Sequence, residues 1–240
     1  MAFLWYTVFI MERIKAMVDN IDRIGQEAID NLAQKHAARE RALPKSRTTI
    51  RYCANSIRAA HRHEFRLAED LVAQAGALLT EMAADLRDHQ DIFFAGFVQD
   101  AQKEYAEAIC FSALVQHRSL PSATDLAIGS GAFLNGLAES VGELRRYLLD
   151  QLRRGEMGDC EVFLGYMDDI YALLISVDFP DAITSGLRRT TDATRGILEK
   201  TRGDLTSAMS QVRLQQSMLA LQRELQRQDP DDDSFLGTSL

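Results

Sequence analysis

Glu104 and Glu107 stand three residues apart in a stretch without helix breakers, and Asp100 lies one turn before them. At about 100° per residue, carboxylates at these positions fall on a narrow arc of one helix face. Like charges one turn apart repel, so the local sequence has no reason of its own to stack them. Phe97, Tyr105, Ala108 and Phe111 surround the acids, which predicts a helix buried over much of its circumference. Partly buried carboxylates on one face need a cation, and an oxygen-only donor set points to Mg2+ or Mn2+. Glu139 and Glu143 form a second pair, four residues apart, on what reads as the next long helix. Four carboxylates meet if those two helices pack together. Acidic pairs that merely solvate a surface are the competing reading.

Other chemistries lack their residues. A di-iron helical bundle needs Glu-x-x-His on paired helices, but the positions three before the five histidines hold Ala33, Arg58, Ala60, Leu86 and Leu114. There is no G-x-S-x-G elbow and no glycine-rich phosphate loop of the GxxxxGK[ST] or GxGxxG kind. Cys53, Cys110 and Cys160 are odd in number, form no CxxC pair and sit in apolar helical contexts, where a thiol acts as a small hydrophobe. Zinc and a disulfide framework are therefore not indicated, and a reducing, cytoplasmic compartment is expected.

The net charge of −8 argues against a generic polyanion binder, but the charge is unevenly spread. Between Lys35 and Arg66 nine Lys or Arg face only Glu40 and Glu64, with His36, His61 and His63 beside them. A solvated helix face is the plain reading of such a block. The functional reading is a phosphate-contacting stripe, with Arg47, Arg51, Arg58 and Arg62 as its candidates.

The elements that must hold these residues are helices. Only four prolines interrupt 240 residues rich in Ala, Leu, Glu, Arg and Gln, so the fold class is all-α. Helical spacing predicts a first helix over 11–39 ended by Pro44, a second over 47–86 bent near His63, and a third over 91–115. A loop over 116–125 leads to a fourth helix over 125–154, stopped by Gly155. A fifth covers 159–174, and Phe179-Pro180-Asp181 starts a last helix reaching 226. Leu214, Met218, Leu221 and Leu225 recur at 4-3-4 spacing, as a core stripe or a subunit contact would. Residues 1–10 are apolar, too few to span a bilayer, and without the features of a signal peptide; they read as an extension or a mis-assigned start. One helical domain is expected over 11–226, with 227–240 an acidic disordered tail.

Several segments, in order, resemble the translin/TRAX family. His61-Arg62-His63-Glu64-Phe65 looks like the start of its second helical region, and Gly96-Phe97-Val98-Gln99-Asp100-Ala101 continues the match. Lys103-Glu104-Tyr105-Ala106-Glu107-Ala108 is similar to the TRAX helix with paired glutamates, and Arg118-Ser119-Leu120 follows at the expected distance. Leu134 to Arg146 resembles the second acidic helix, and Phe179-Pro180-Asp181-Ala182, Gly186-Leu187-Arg188-Arg189 and Lys200 to Thr206 complete the set. The resemblance covers residues 11–225, and its specificity lies in the order and spacing of segments that are weak singly.

This resemblance implies a TRAX-like subunit of about seven helices that assembles into a hollow homo-oligomer, commonly an octamer, with a second translin-family subunit as a partner. It also implies binding of single-stranded RNA, and of single-stranded DNA, with a Mg2+-dependent endoribonuclease activity. Glu104, Glu107 and Glu143 would be the catalytic acids, and Glu104, Glu107, Glu139 and Glu143 the metal ligands. At Glu139 the sequence departs from the family, where TRAX has Asp. The alternative is a non-catalytic, sequence-tolerant single-strand binder of the translin kind. No membrane partner is expected.

Overall fold

The computed structural model describes the backbone of residues 2–228 and the side chains of residues 5–225. Among the described residues there are eight helices and no strand, as the composition predicts. They are α1 (Ala2–His61), α2 (Phe65–Asp85), α3 (Gln90–Phe93), α4 (Gly96–Val115), α5 (Ser130–Arg154), α6 (Cys160–Ser176), α7 (Asp181–Thr184) and α8 (Leu187–Gln228). No described helix is long and apolar enough to cross a membrane. The tail expected beyond 226 lies, from residue 229, outside the described residues.

Five boundaries differ from the sequence expectation, the first being the start of α1 at Ala2 in place of residue 11. Pro44 does not end the first helix, which runs unbroken for 60 residues. Proline removes one backbone donor and crowds the carbonyl four residues earlier. Both Pro44 and Glu40 are exposed, so water can take the freed carbonyl. The helix ends instead where His63 turns to φ 61°. The expected third helix is split at Phe94 and Ala95 into α3 and α4. Asp125 does not begin α5: its carboxylate accepts from Ser122 N and Oγ at 2.8 and 2.7 Å, closing a local turn that Ala127 ends at φ 53°. The last helix begins at Leu187 because Ser185 and Gly186, at φ 54° and 81°, cut off the single turn of α7.

The chain forms two compact units, one of residues up to 109 with 122–133, the other of residues 110–121 with those from 134 onward. In the first, α2 folds back along α1. Its core joins Ala38 and Ala42 of α1, Leu79, Met82 and Leu86, and Val98 and Ala101 of α4. Polar ties fix the register: Ser56 Oγ donates to the Ala68 carbonyl at 2.8 Å, and Lys45 meets Glu81 at 3.0 Å and Asp85 at 2.9 Å. Those carboxylates, Asp85 foremost, raise the Lys45 pKa.

In the second unit, α6 buries Cys160, Phe163, Leu164, Met167, Ile170 and Leu174, a 3-1-3-3-4 stripe. It packs against α8, which buries Leu187, Thr191, Thr194, Leu198, Thr201 and Leu205. Arg145 of α5 reaches Asp204 at 2.6 Å and Thr201 at 2.9 Å. Buried Asn135 donates to the Thr184 carbonyl at 2.8 Å and accepts from Thr190 at 2.7 Å, which pins the start of α5. Beyond Leu205 the stripe of Leu214, Met218, Leu221 and Leu225 is 57–64% exposed, so it is not core of this chain.

Candidate functional site

Glu104 and Glu107 occupy the middle of α4. Ala101, Ala106 and Ala108 beside them are fully buried, as is Phe111, which stands in line with Glu104 two turns on. The acids therefore lie on a face the helix otherwise buries, and both are half-buried; Asp100, nearer the helix start, is exposed. Sequence spacing put all three carboxylates on one arc, and tertiary burial separates Asp100 from the other two.

Three neighbours hold this stretch of α4 in the first unit. Ser46 Oγ donates to the Phe97 carbonyl at 2.7 Å, tying α1 to the first turn. A Cβ on Gly76 of α2 would stand 2.6 Å from the Tyr105 hydroxyl oxygen, so glycine is what lets that ring lie against α2. Cys53 of α1 is buried close enough to feel both glutamates. Burial first, then the charges of Glu104 and Glu107, push its thiol up to about 12. The sequence marked Cys53 only as a small hydrophobe. Nothing local in the sequence shows that its helix passes the acidic pair.

Lys103 Nζ lies 4.0 Å from Glu104 Oε1, a contact that the adjacent position in sequence makes possible. In the second unit, Glu139 and Glu143 lie one turn apart on α5 and are both half-buried. Buried Ala132, Asn135 and Gly136, all small, precede Glu139 on α5. Glu143 Oε2 stands 3.7 Å from Arg146, an i, i+3 pair. Each predicted pair thus stands one turn apart on its own helix.

The basic segment divides. Lys35 pairs with Asp91 at 2.7 Å, Arg39 with Glu40 at 2.8 Å, Arg41 with Asp85 at 3.7 Å, and Lys45 with Glu81 and Asp85. Arg41 and Lys45 point about 120° and 160° around α1 from Arg47, toward α2. Arg47, Arg51 and Arg58 share an arc of about 40° on the opposite, solvent face, where all three are exposed. Among the described residues no carboxylate pairs with these three. Arg58 bonds Asn55 at 2.7 Å, and the Arg51 guanidinium lies 5.9 Å from the Tyr52 ring centre. Arg62 is committed to Glu64 at 2.8 Å.

No protein-family profile matches the chain. The chain is similar, at 29% identity over 214 residues, to an uncharacterized protein, MJ0175, of Methanocaldococcus jannaschii, covering 87% of this chain and 93% of that one. It is similar to AfC3PO in two solved structures, one with duplex RNA, at 35% identity and TM-score 0.72, covering 77% of this chain and 96% of that one. Apo-NeC3PO shares the fold at 17% identity and TM-score 0.67, over 75% of this chain and 96% of that one.

Proposed function

This chain belongs to the C3PO/translin family, and we propose that it binds RNA and cleaves it hydrolytically at single-stranded sites with a divalent cation. The observation that carries the reading is its 35% identity across 96% of AfC3PO, a protein solved with duplex RNA. The bare arginine face of α1 supports it from this chain's own residues. Arg47, Arg51 and Arg58 spread over 11 positions of α1, or about 16 Å, enough to meet several phosphates of one backbone.

The acidic residues suit Mg2+ or Mn2+ by chemistry: oxygen donors only, two on a face of α4 that is otherwise buried and two beside small residues of α5. Glu104, Glu107, Glu139 and Glu143 would hold the ion, with Glu104, Glu107 and Glu143 the acids on which cleavage depends. When bound, such an ion supplies positive charge at the phosphoryl group and acidifies a water. The chain's own part is to fix the carboxylates by burial, with Ser46 and Tyr105 holding α4 in place, and to keep the RNA backbone in register through the arginines. This chemistry needs no histidine as base. The assembly we propose is a homo-oligomer, an octamer on the family pattern, with a place for a second translin-family subunit.

The test incubates the pure full chain with end-labelled single-stranded RNA, the matching duplex and single-stranded DNA, in Mg2+ or in EDTA. Cleavage of the single strand in Mg2+ alone is expected, with a 5′-phosphate on the downstream fragment. Glu107→Gln should lower cleavage by orders of magnitude with RNA affinity unchanged, because only transition-state stabilisation is lost. Binding without cleavage in any cation would replace the nuclease by a sequence-tolerant binder. The pairing of Glu104 with Lys103 and of Glu143 with Arg146 is the observation on that side.

A further inference from the structure

We propose that the first half of α1 is the surface on which two copies of this chain pair, side by side and antiparallel; the inference does not rest on the RNA reading. From residue 5 to residue 34 every side chain is exposed except half-buried Ile10, and the first fully buried residue of the helix is Ala38. Met11, Ile14, Val18, Ile21, Ile24 and Leu32 are 49–64% exposed. At about 100° per residue they fall within an arc of about 140°, broader than a coiled-coil seam and as wide as the face a helix turns to a core. Nothing lies within 4 Å of a Cβ built on Gly25, which sits inside this stripe and lets another backbone approach closely. A helix of this length left bare in water is marginal, so the stripe requires a cover.

Charge selects the cover. Over residues 11–34, Glu12, Asp19, Asp22, Glu27 and Asp30 outnumber Arg13, Lys15 and Arg23. An acidic polar face is repelled by nucleic acid and by anionic lipid, whereas membrane-surface helices carry Lys and Arg there. A second copy fits. One flank of the stripe carries Arg13 and Glu27, the other Lys15 and Asp22, at about 80–120° from Ile21. In an antiparallel two-fold pair each flank faces itself. An axis near positions 19 and 20 then brings Arg13 within one turn of Glu27 on the other copy, and Lys15 within one turn of Asp22. The same axis lays Ile14 beside Ile24 and Val18 beside Ile21. A parallel pair would instead set Arg13 beside Lys15. Glu27 also bonds Arg23 of its own helix at 2.7 Å, which leaves its second oxygen for the partner. Two stripes about 33 Å long would together remove on the order of 1,000–1,500 Å2 from water, the size of a stable interface.

The test measures the native mass of the full chain by light scattering without RNA, alongside helix content by circular dichroism. Ile21→Glu should lower the mass to half or less with helix content of the body retained, since the residue is exposed within its own chain. Arg13→Glu and Glu27→Arg should each weaken association by roughly two- to thirtyfold, the range for exposed ion pairs occurring twice per dimer. The double reversal Arg13→Glu with Glu27→Arg should restore it, because the pair is re-formed with its signs exchanged. An unchanged mass in Ile21→Glu, or a double reversal weaker than either single, overturns the proposal. So does flotation of the parent chain with anionic lipid vesicles that Ile21→Glu abolishes, which would make the occupant a membrane.

Discussion

Arg47, Arg51 and Arg58 differ from Lys45 by their position around one helix, and this difference predicts different phenotypes. Reversing the three arginines to Glu should weaken RNA binding for every sequence and flatten its salt dependence, because each lost phosphate contact removes about 0.7 from the slope on a single strand. Lys45→Glu should leave RNA affinity near the parent value and lower the melting temperature, since its carboxylate partners on α2 would then repel it. Filter binding from low to moderate salt separates the two. The Cys53 thiol gives a pH prediction. In the unfolded chain it ionises near 9.0, and in the folded chain it keeps its proton until about 12. The folded state then binds more protons over that window, so stability is full below pH 9 and falls as pH rises from 9 toward 12. Cys110, also pushed up to about 12 by burial, adds in the same direction. Replacing Cys53 with Ala should lessen the alkaline loss measured by thermal melts.

At the scale of elements, the contact between α2 and α4 rests on a missing side chain. Glycine costs a helix about 1 kcal/mol against alanine, so Gly76→Ala would stabilise an isolated α2. In the folded chain the added methyl would stand 2.6 Å from the Tyr105 hydroxyl oxygen, so the substitution should lower the melting temperature instead. Tyr105→Phe removes that oxygen, and the double variant should recover most of the loss. Additive effects in this two-by-two cycle would show that the two helices do not meet there. The same packing holds Glu104 and Glu107 at a fixed height beside α1, so an element-level change here reaches the candidate site through the position of α4.

For the molecule as a whole, cation binding and stability are linked. If Mg2+ binds only the folded state, it adds about 2.7 kcal/mol when present at a hundred times its dissociation constant. Calorimetry should show the parent melting higher in Mg2+ than in EDTA, with a smaller difference for Glu107→Gln. The variant should also melt slightly above the parent without metal, because a like-charge contact on α4 has gone. An equal response of both proteins to Mg2+ would remove these glutamates from the binding site.

Sequence alone determined the helical class, because few breakers and a periodic apolar pattern leave the backbone one economical way to pair its donors and acceptors. It also marked Glu104 with Glu107, and Glu139 with Glu143, since one-turn spacing is a property of the helix itself. Local chemistry misled it where the cost of breaking a rule depends on surroundings. Pro44 stays inside α1 on an exposed stretch where water can take the carbonyl it frees, and Asp125 serves a turn because Ser122 lies within reach. The split of the basic block was out of sight for the same reason: Lys45 and Arg47 are two residues apart, yet one meets Asp85 and the other meets solvent. Only the packing of α2 on α1 decides that, because which face of a helix is neutralised depends on residues some forty positions away.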